Sequence, residues 1–442
     1  MTATKITLVG AGSTSFGVSM LLDIIANAAD LAGSTITLAD LNAESLQLME
    51  GVANRLKQAS SAQLTFEAST DLRAALKGAN FVITSVAVDR LATWQKDWEI
   101  PLRYGFKQVL GENGGPGGLS HTLRSVHLML QVARTVEEIA PDAWLLNFTN
   151  PLTRVCLALN RATKLKTVGL CHQIGAAYRN VGIVMGIVKD LDEAKAKINM
   201  LQDRFDVKAA GLNHITWIYD LRDNETGADI YPEFKRRLAA MPTSFEPLSR
   251  RLLDAFGLFP ATGDGHAGEY FSYAWETSAM KGYDFEGRKR DAGALREQLQ
   301  KAASGELPVE PYLSRTSGER AIQIITGMLH NRNQFEHALN LPNRGAIPGL
   351  PDWAVVETPG VISGDGIDNL HVPALPPAIT SMLAQQVAIQ DRAVEAAIHG
   401  DRQAALQALL LDPVVGSYEN AVRMLDELLG LHGKYVNQNF QS

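Results

Sequence analysis

The segment ITLVGAGSTSF, residues 6–16, constrains the fold of this chain more than any other. An apolar run ends in Gly10-Ala11-Gly12, and Val18, Leu21, Leu22 and Ile25 then recur at i, i+3, i+4 and i+7. That pattern is a strand, a tight turn and one face of a helix. Gly10 permits the turn. Gly12 lets the backbone approach a pyrophosphate, which the free N–H groups of the helix start would hold. Ser15 stands where a third glycine is usual, so helix–strand packing there has to tolerate a small side chain. Gly10, Gly12, Ser13, Thr14, Ser15 and Phe16 are the expected cofactor contacts. A second apolar run, STITLADLN, reaches Asp40, whose carboxylate could accept both ribose hydroxyls and so favours NAD over NADP. The competing reading is an ordinary glycine turn in an α/β sheet.

Further strand signals follow at NFVITSVAV, AWLLNFTNP and KTVGLCH. Between them, Val126, Met129, Leu130, Ala133 and Val136 mark a helix after a glycine-rich loop. Strands alternating with helices predict a doubly wound, Rossmann-type parallel sheet covered on both faces. After about residue 195 helical patterns dominate, with a possible strand pair near 205–222. The segment 341–375 carries many Pro and Gly and looks too irregular for long elements. Helical patterns return from Pro377 to Asp401 and near 416–430. The expected organisation is a nucleotide-binding domain over 1–195 and a mainly helical α+β domain over 196–442, without a flexible tether.

Composition excludes several classes. The chain has 442 residues, 46% hydrophobic, enough to bury substantial cores. Its net charge is -7 and it has no long basic run, which argues against nucleic-acid or anionic-membrane partners. No apolar stretch approaches the ~18 residues of a membrane span. The start MTATKITLVGAG has none of the features of a signal peptide, and two cysteines make no disulfide framework. The expected location is the cytoplasm, with reduced thiols.

Cys171 falls at the predicted C-terminal end of a strand, as does Asn150; ligands of open parallel sheets bind outside such ends. Cys171 could be a buried small hydrophobe, a nucleophile or a metal ligand. His214, in GLNHITW, is 43 residues away, too far for spacing to define a metal site, and there is no Cys-x-x-Cys signal. Asp264 and His266 sit in GDGHAGEY, which could equally be a solvated turn.

Taken together, GAGSTSF, GENGGPGG, NFTNP, GLCHQ, GLNH and GDGH occur in the order seen in glycoside hydrolase family 4, and the tail from LPNRGAIPGLP onward is also similar to that family. The resemblance spans nearly the whole chain. It implies a lactate/malate dehydrogenase-like fold that cleaves glycosides by NAD-dependent redox elimination, an exception to two-carboxylate hydrolysis. In such enzymes C3 is oxidised, C2 is deprotonated, the aglycone leaves, water adds and C3 is reduced again. A divalent metal, usually Mn2+, is held by protein ligands that the resemblance places at Cys171 and His214. Thiolate and imidazole are soft donors for Mn2+.

By the same resemblance His172 is the general acid or a structural or sugar contact, and Asp264 is the base, with Tyr270 as the alternative. Asn150, Asn113 and His266 are expected to contact substrate. Trp94 stands where phosphosugar-cleaving relatives carry Arg. An indole cannot clamp a phosphate, so Trp94 stacks on a sugar or lies in the core. The substrate is then expected to be an unphosphorylated, α-linked hexoside or hexuronoside. Lys96 and Arg103 lie nearby in sequence. The resemblance also implies a homodimer or homotetramer. Two other readings stand beside it: a dehydrogenase of sugars or hydroxy acids releasing NADH, and a non-catalytic NAD sensor.

Overall fold

Most of the apolar runs in the first third become strands of one sheet, and helices bury both of its faces. The computed structural model describes residues 3–277, 283–313 and 317–441. Six strands come first: β1 (Lys5–Val9), β2 (Thr35–Ala39), β3 (Thr65–Ser69), β4 (Phe81–Thr84), β5 (Trp144–Asn147) and β6 (Lys166–Gly169). They lie parallel in the order 3-2-1-4-5-6, the doubly wound order with its switch point between β1 and β4. Every residue of β4 is buried, which is why it reads as a continuous apolar run rather than an alternating one. Ile83 and Leu146 pack under the Phe16–Ala26 helix, whereas Val82 and Leu145 pack under the Gly115–Ile139 helix on the opposite face.

The first helix sits differently from the sequence expectation. Its buried face is Gly17, Met20, Leu21, Ile24 and Ile25, while Val18 and Leu22 are only half-buried. Each fully buried Leu or Ile here stabilises the fold by roughly 1.5–3 kcal/mol. The tight strand–helix contact is not at Ser15, which is exposed. It falls at Gly17, where a Cβ would lie 2.2 Å from the Ala11 carbonyl oxygen.

The second half extends the same sheet. Strands β7 (Phe205–Leu212) and β8 (Ile215–Asp223) form the expected antiparallel pair, joined by the two-residue turn Asn213-His214. Strands β9 (Phe259–Pro260), β10 (Gln334–Pro342), β11 (Val355–Ser363) and β12 (Gly366–Asn369) complete the set. β10 pairs antiparallel with β6 at Asn340 and Gly169, so the order continues 6-10-11-7-8-9, with β12 beside β11. The expectation of irregular structure over 341–375 fails at β11, a nine-residue strand. Pro359 is tolerated because it falls where the β10–β11 register shifts, between Gly360↔Glu336 and Thr358↔Leu339. A missing N–H there removes no ladder bond. Helices Pro377–His399, Arg402–Leu411 and Tyr418–His432 pack against Gly115–Ile139. The architecture is a Rossmann-type α/β sheet with an antiparallel extension.

Candidate active site

The glycine turn opens onto a cavity of about 640 Å³ at the switch point of the sheet. Gly10 has φ +89°, and a Cβ there would lie 2.2 Å from the Ser85 carbonyl oxygen, so only glycine fits. The Asp40 carboxylate accepts the Gly12 N–H at 2.8 Å and the Asn42 N–H at 2.9 Å, fixing the acid over the turn. Gly10, Gly12, Ser13, Ser15, Phe16 and Asp40 all line the cavity; Thr14 does not. Asn150 also lines it, as do Phe148 and His121.

The C-terminal ends of β5 and β6 are neighbours, with Asn147 paired to Gly169; just beyond them β6 delivers Cys171, and the β7–β8 turn delivers His214. His214 has φ +68°, a left-handed conformation that is uncommon for a non-glycine residue and is held by the ladder on either side. The turn brings Nε2 of His214 to 3.5 Å from Sγ of Cys171. Two such donors about 2.1 and 2.3 Å from one ion at a near-tetrahedral angle lie about 3.6 Å apart. Nδ1 of His214 is buried without a hydrogen-bond partner. Burial, then the neighbouring His266 and His172, push the imidazole toward its neutral form. The Cys171 thiol is pushed well up by burial and next by the buried Glu357 carboxyl. Glu357 is 1% exposed and accepts from Asn213 at 2.7 Å and Asn340 at 2.8 Å.

Around this pair the remaining residues fall into three groups. His266 stacks on His214 with ring centroids 4.1 Å apart, and its Nδ1 lies 3.4 Å from Glu269. Donor atoms of His214, His266 and Glu269 all lie within 4.8 Å of one another. The other Glu269 oxygen accepts three backbone N–H groups, from Glu112, Asn113 and Gly114, at 2.7, 2.7 and 3.2 Å. That nest fixes the GENGGPGG loop against the site. It leaves the Asn113 side chain 5% exposed, with neither amide atom partnered. An unpartnered buried amide is costly unless something else fills its bonds, so Asn113 is aimed at a ligand.

Tyr270 is 4% exposed, its hydroxyl 3.4 Å from the Asn213 carbonyl. Burial pushes its phenol well up, and Glu269 adds to this; Arg154 is the nearby charge that pulls it down. On the open side, Nδ1 of His172 lies 2.9 Å from Glu319. That hydrogen bond raises the imidazole above its ordinary value. Ser317 anchors the Glu319 segment: its backbone N–H and its hydroxyl both donate to the buried Asp23.

Two sequence-predicted residues are engaged otherwise. The Asp264 carboxylate accepts from Leu248 N, Ser249 N and Ser249 Oγ at 2.7, 2.8 and 2.7 Å, capping the Pro247–Phe256 helix. Trp94 is 5% exposed, packs on Tyr283 and Phe285, and donates its indole N–H to the Leu110 carbonyl. Lys96 pairs with Glu99 and Arg103 with Glu427. Sequence reasoning missed Glu269, Glu319 and Arg154. Glu269 lies within GDGHAGEY, but nothing in that motif marks a carboxylate that binds three amides 155 or more residues away.

A glycine-turn cavity at the switch point of a doubly wound sheet, with a thiol–imidazole pair at the neighbouring strand end, is the arrangement of a nucleotide-binding α/β enzyme. Comparison with known proteins narrows this. The model described as family 4 glycosyl hydrolase matches residues 5–193, and that of its C-terminal domain matches 209–415. An α-glucosidase of Erwinia rhapontici is 33% identical over 98% of this chain and 99% of its own length. The structure of a 6-phospho-α-glucosidase from gut microorganisms, in complex with NAD and Mn2+, superposes with TM-score 0.84 at 21% identity. It covers 98% of this chain and 99% of that one. Malate dehydrogenase of Cryptosporidium parvum shares the fold at TM-score 0.53 and 14% identity, over 90% and 99% of the two chains. The chain belongs to family 4 of the glycosyl hydrolases, and it is a glycoside hydrolase.

Proposed function

We propose that this enzyme cleaves an unphosphorylated, α-linked hexoside or hexuronoside by NAD- and Mn2+-dependent redox elimination. The observation that carries the reading is the Cys171–His214 pair beside the dinucleotide cavity. The residues present fit both groups. Gly10 and Gly12 leave the room a pyrophosphate needs, and Asp40 is set to receive ribose hydroxyls. Cys171 and His214 are spaced as co-ligands. When bound, NAD supplies a reversible hydride acceptor for C3, and the metal supplies a Lewis acid at the C2 and C3 oxygens.

The chain's own residues do the rest. Asn113, Asn150 and His266 hold sugar hydroxyls. Tyr270 removes the C2 proton, acidified by a carbonyl at C3, and returns it after water adds at C1. Tyr270 fits this better than Asp264, whose carboxylate is occupied as a helix cap. Burial and then the Glu269 charge raise the Tyr270 phenol, and the buried Arg154 is the charge that works against them. His172 protonates the departing oxygen, and Glu319 positions its ring. Water exclusion follows from the burial of Asn113, His214, Tyr270 and Glu269. The absence of a phosphate substrate is supported by Trp94, buried in an aromatic cluster, and by the carboxylate partners of Lys96 and Arg103.

Among the described residues no helix is long and apolar enough to cross a membrane. Leu410, Leu411, Tyr418 and Leu431 are 41–58% exposed on the C-terminal helices. They support a homodimer or homotetramer built through that face, testable by light scattering. We place the enzyme in the cytoplasm, which localisation of a tagged chain would check.

The test is a panel of 4-nitrophenyl α- and β-glycosides, uronides and 6-phosphates, with and without NAD, Mn2+ and reductant. Nitrophenol release that needs both NAD and metal, with no net NADH, is expected from an unphosphorylated α-glycoside. NADH accumulating on free sugars or hydroxy acids, with no glycoside cleaved, would establish the dehydrogenase reading instead.

A further inference from the structure

β6 and β10 meet at a single pair of residues, Gly169 and Asn340. Beyond that pair, toward Lys166 and Pro342, the two strands are not laddered, and a cavity of about 390 Å³ opens beside them. Trp144 and Lys166, the first residues of β5 and β6, line it. Cys171 lies past the other end of β6, roughly 15 Å of extended chain from Lys166. The cleft shares no lining residue with the dinucleotide cavity. It is separate from the active site.

Its charge is one-sided. Lys164, Lys166, Arg344 and His371 line it, and Asp368 is the one carboxylate among its described lining residues. The cationic groups come from separate segments: the approach to β6, the turn after β10 and the stretch after β12. Among the described residues none of these four side chains has an ion-pair or hydrogen-bond partner. This stands out in a chain of net charge -7. Charges of one sign gathered round a hollow focus their field into it and concentrate counter-ions there.

The wall behind these groups is already fixed. The Asn343 side chain donates to the Ile347 and Leu350 carbonyls at 3.1 and 2.9 Å, and that of Asn369 donates to the Pro342 carbonyl at 3.0 Å. Asn160 also lines the cleft, and its amide has no side-chain partner among the described residues. Leu341, Ile367 and the half-buried Trp144 supply apolar surface. We propose that this cleft is a second ligand site, one that takes a compact sugar phosphate. The guanidinium fork of Arg344 and the ammonium groups of Lys164 and Lys166 suit a phosphate dianion. The Asn160 amide suits hydroxyl groups. The volume suits a ligand with more body than phosphate alone. The glycoside in the active site is a different molecule, and it needs no phosphate.

Equilibrium dialysis of the enzyme loaded with NAD and Mn2+ tests this, with labelled glucose 6-phosphate as the probe and ionic strength held constant. Inorganic phosphate and glucose are the competitors. Glucose 6-phosphate should bind saturably, with a Kd of about 1 mM or tighter. Inorganic phosphate should compete at least tenfold more weakly, and glucose not at all. Lys166→Gln and Arg344→Gln should each weaken binding at least fivefold, and the double variant at least twentyfold. Cys171→Ser, which alters only the active site, and Lys189→Gln, an exposed cation elsewhere, should stay within twofold of the parent. Melting temperature and NAD affinity check that each variant is folded. No saturable binding would overturn the site. So would binding that survives in the double variant; if Cys171→Ser then abolishes it, the probe was entering the active site. Equal affinity for inorganic phosphate would overturn the sugar part and leave a bare anion site.

Discussion

Oε1 of Glu319 lies 2.9 Å from Nδ1 of His172, across 147 residues of chain. An imidazole gripped at Nδ1 presents Nε2 in one orientation, as a proton donor to a leaving oxygen needs. Glu319→Gln should therefore slow substrates in proportion to the basicity of their leaving group. We expect kcat to fall on the order of 10–100-fold for sugar or alkyl aglycones and less than about threefold for 4-nitrophenyl glycosides, within the range of general acid catalysis. A plot of log kcat/KM against leaving-group pKa checks it. Equal losses across the series would leave Glu319 a structural residue only.

Cys171→Ser and His214→Ala remove one donor each from the pair 3.5 Å apart. Mn2+ affinity should fall on the order of 100-fold or more, since even supporting residues around a metal are worth 10–100-fold. NAD affinity, read by fluorescence, should hold within about threefold. Metal content after dialysis is the deciding measurement; retention of full stoichiometry in both variants would remove these ligands.

Asp40→Asn should weaken discrimination between NAD and NADP at least tenfold. The carboxylate that accepts ribose hydroxyls also repels a 2′-phosphate. Direct titration of both dinucleotides checks this. Because Asn can still accept the Gly12 N–H through its carbonyl oxygen, the glycine turn should stay in place and the loss should appear as selectivity rather than as unfolding.

Tyr270→Phe and Asp264→Asn separate the two candidates for the base. Tyr270→Phe should lower kcat by about 10²–10⁴ and abolish exchange of the C2 hydrogen with deuterated water. Asp264→Asn should leave kcat and exchange nearly unchanged and cost little stability, since Asn caps a helix start about as well as Asp. Full exchange in Tyr270→Phe would point back to Asp264.

Asp412 is 5% exposed, and burial raises its carboxyl to about 6 from 3.8. Because the folded value lies above the unfolded one, the folded state binds more protons between these values. The contribution is complete below pH 3.8 and is lost as pH rises through about 6. Its full extent is about 3 kcal/mol. Asp412→Asn should flatten the fall in stability between pH 4 and 7 while its carbonyl oxygen keeps the Val414 N–H bond. Denaturant melts at pH 5 and pH 8 would show it; parallel slopes in both proteins would exclude the effect.

The nucleotide half was legible because its signals are local. Strands β1, β4 and β5 are built around apolar runs, β6 leads into the apolar Val168–Leu170 stretch, and the Gly10 turn lies within a few residues of the strand and helix it joins. β3, Thr65–Ser69, escaped because it is an edge strand with no buried residue, so nothing in its composition marks a face. β11 escaped because Pro359 reads as a strand breaker unless the register shift opposite it is known. Gly17 took the packing role expected at position 15 because the helix meets Ala11 one half-turn later. In the site, family resemblance supplied Cys171 and His214, but no spacing rule links residues 43 apart. Glu319 and Glu269 were invisible for the same reason. Each becomes meaningful through a partner more than 100 residues away.

The shared ladder between β6 and β10 has a consequence for how this molecule can be handled. A gene fragment ending near residue 200 would encode a sheet whose last strand has lost its neighbour at Gly169, uncovering an edge whose Thr167, Val168 and Gly169 are otherwise buried. Such a truncation should self-associate rather than behave as a free nucleotide-binding module. Cys171 sits just beyond that strand and His214 in the other half, so dividing the chain there would also split the thiol–imidazole pair between two polypeptides.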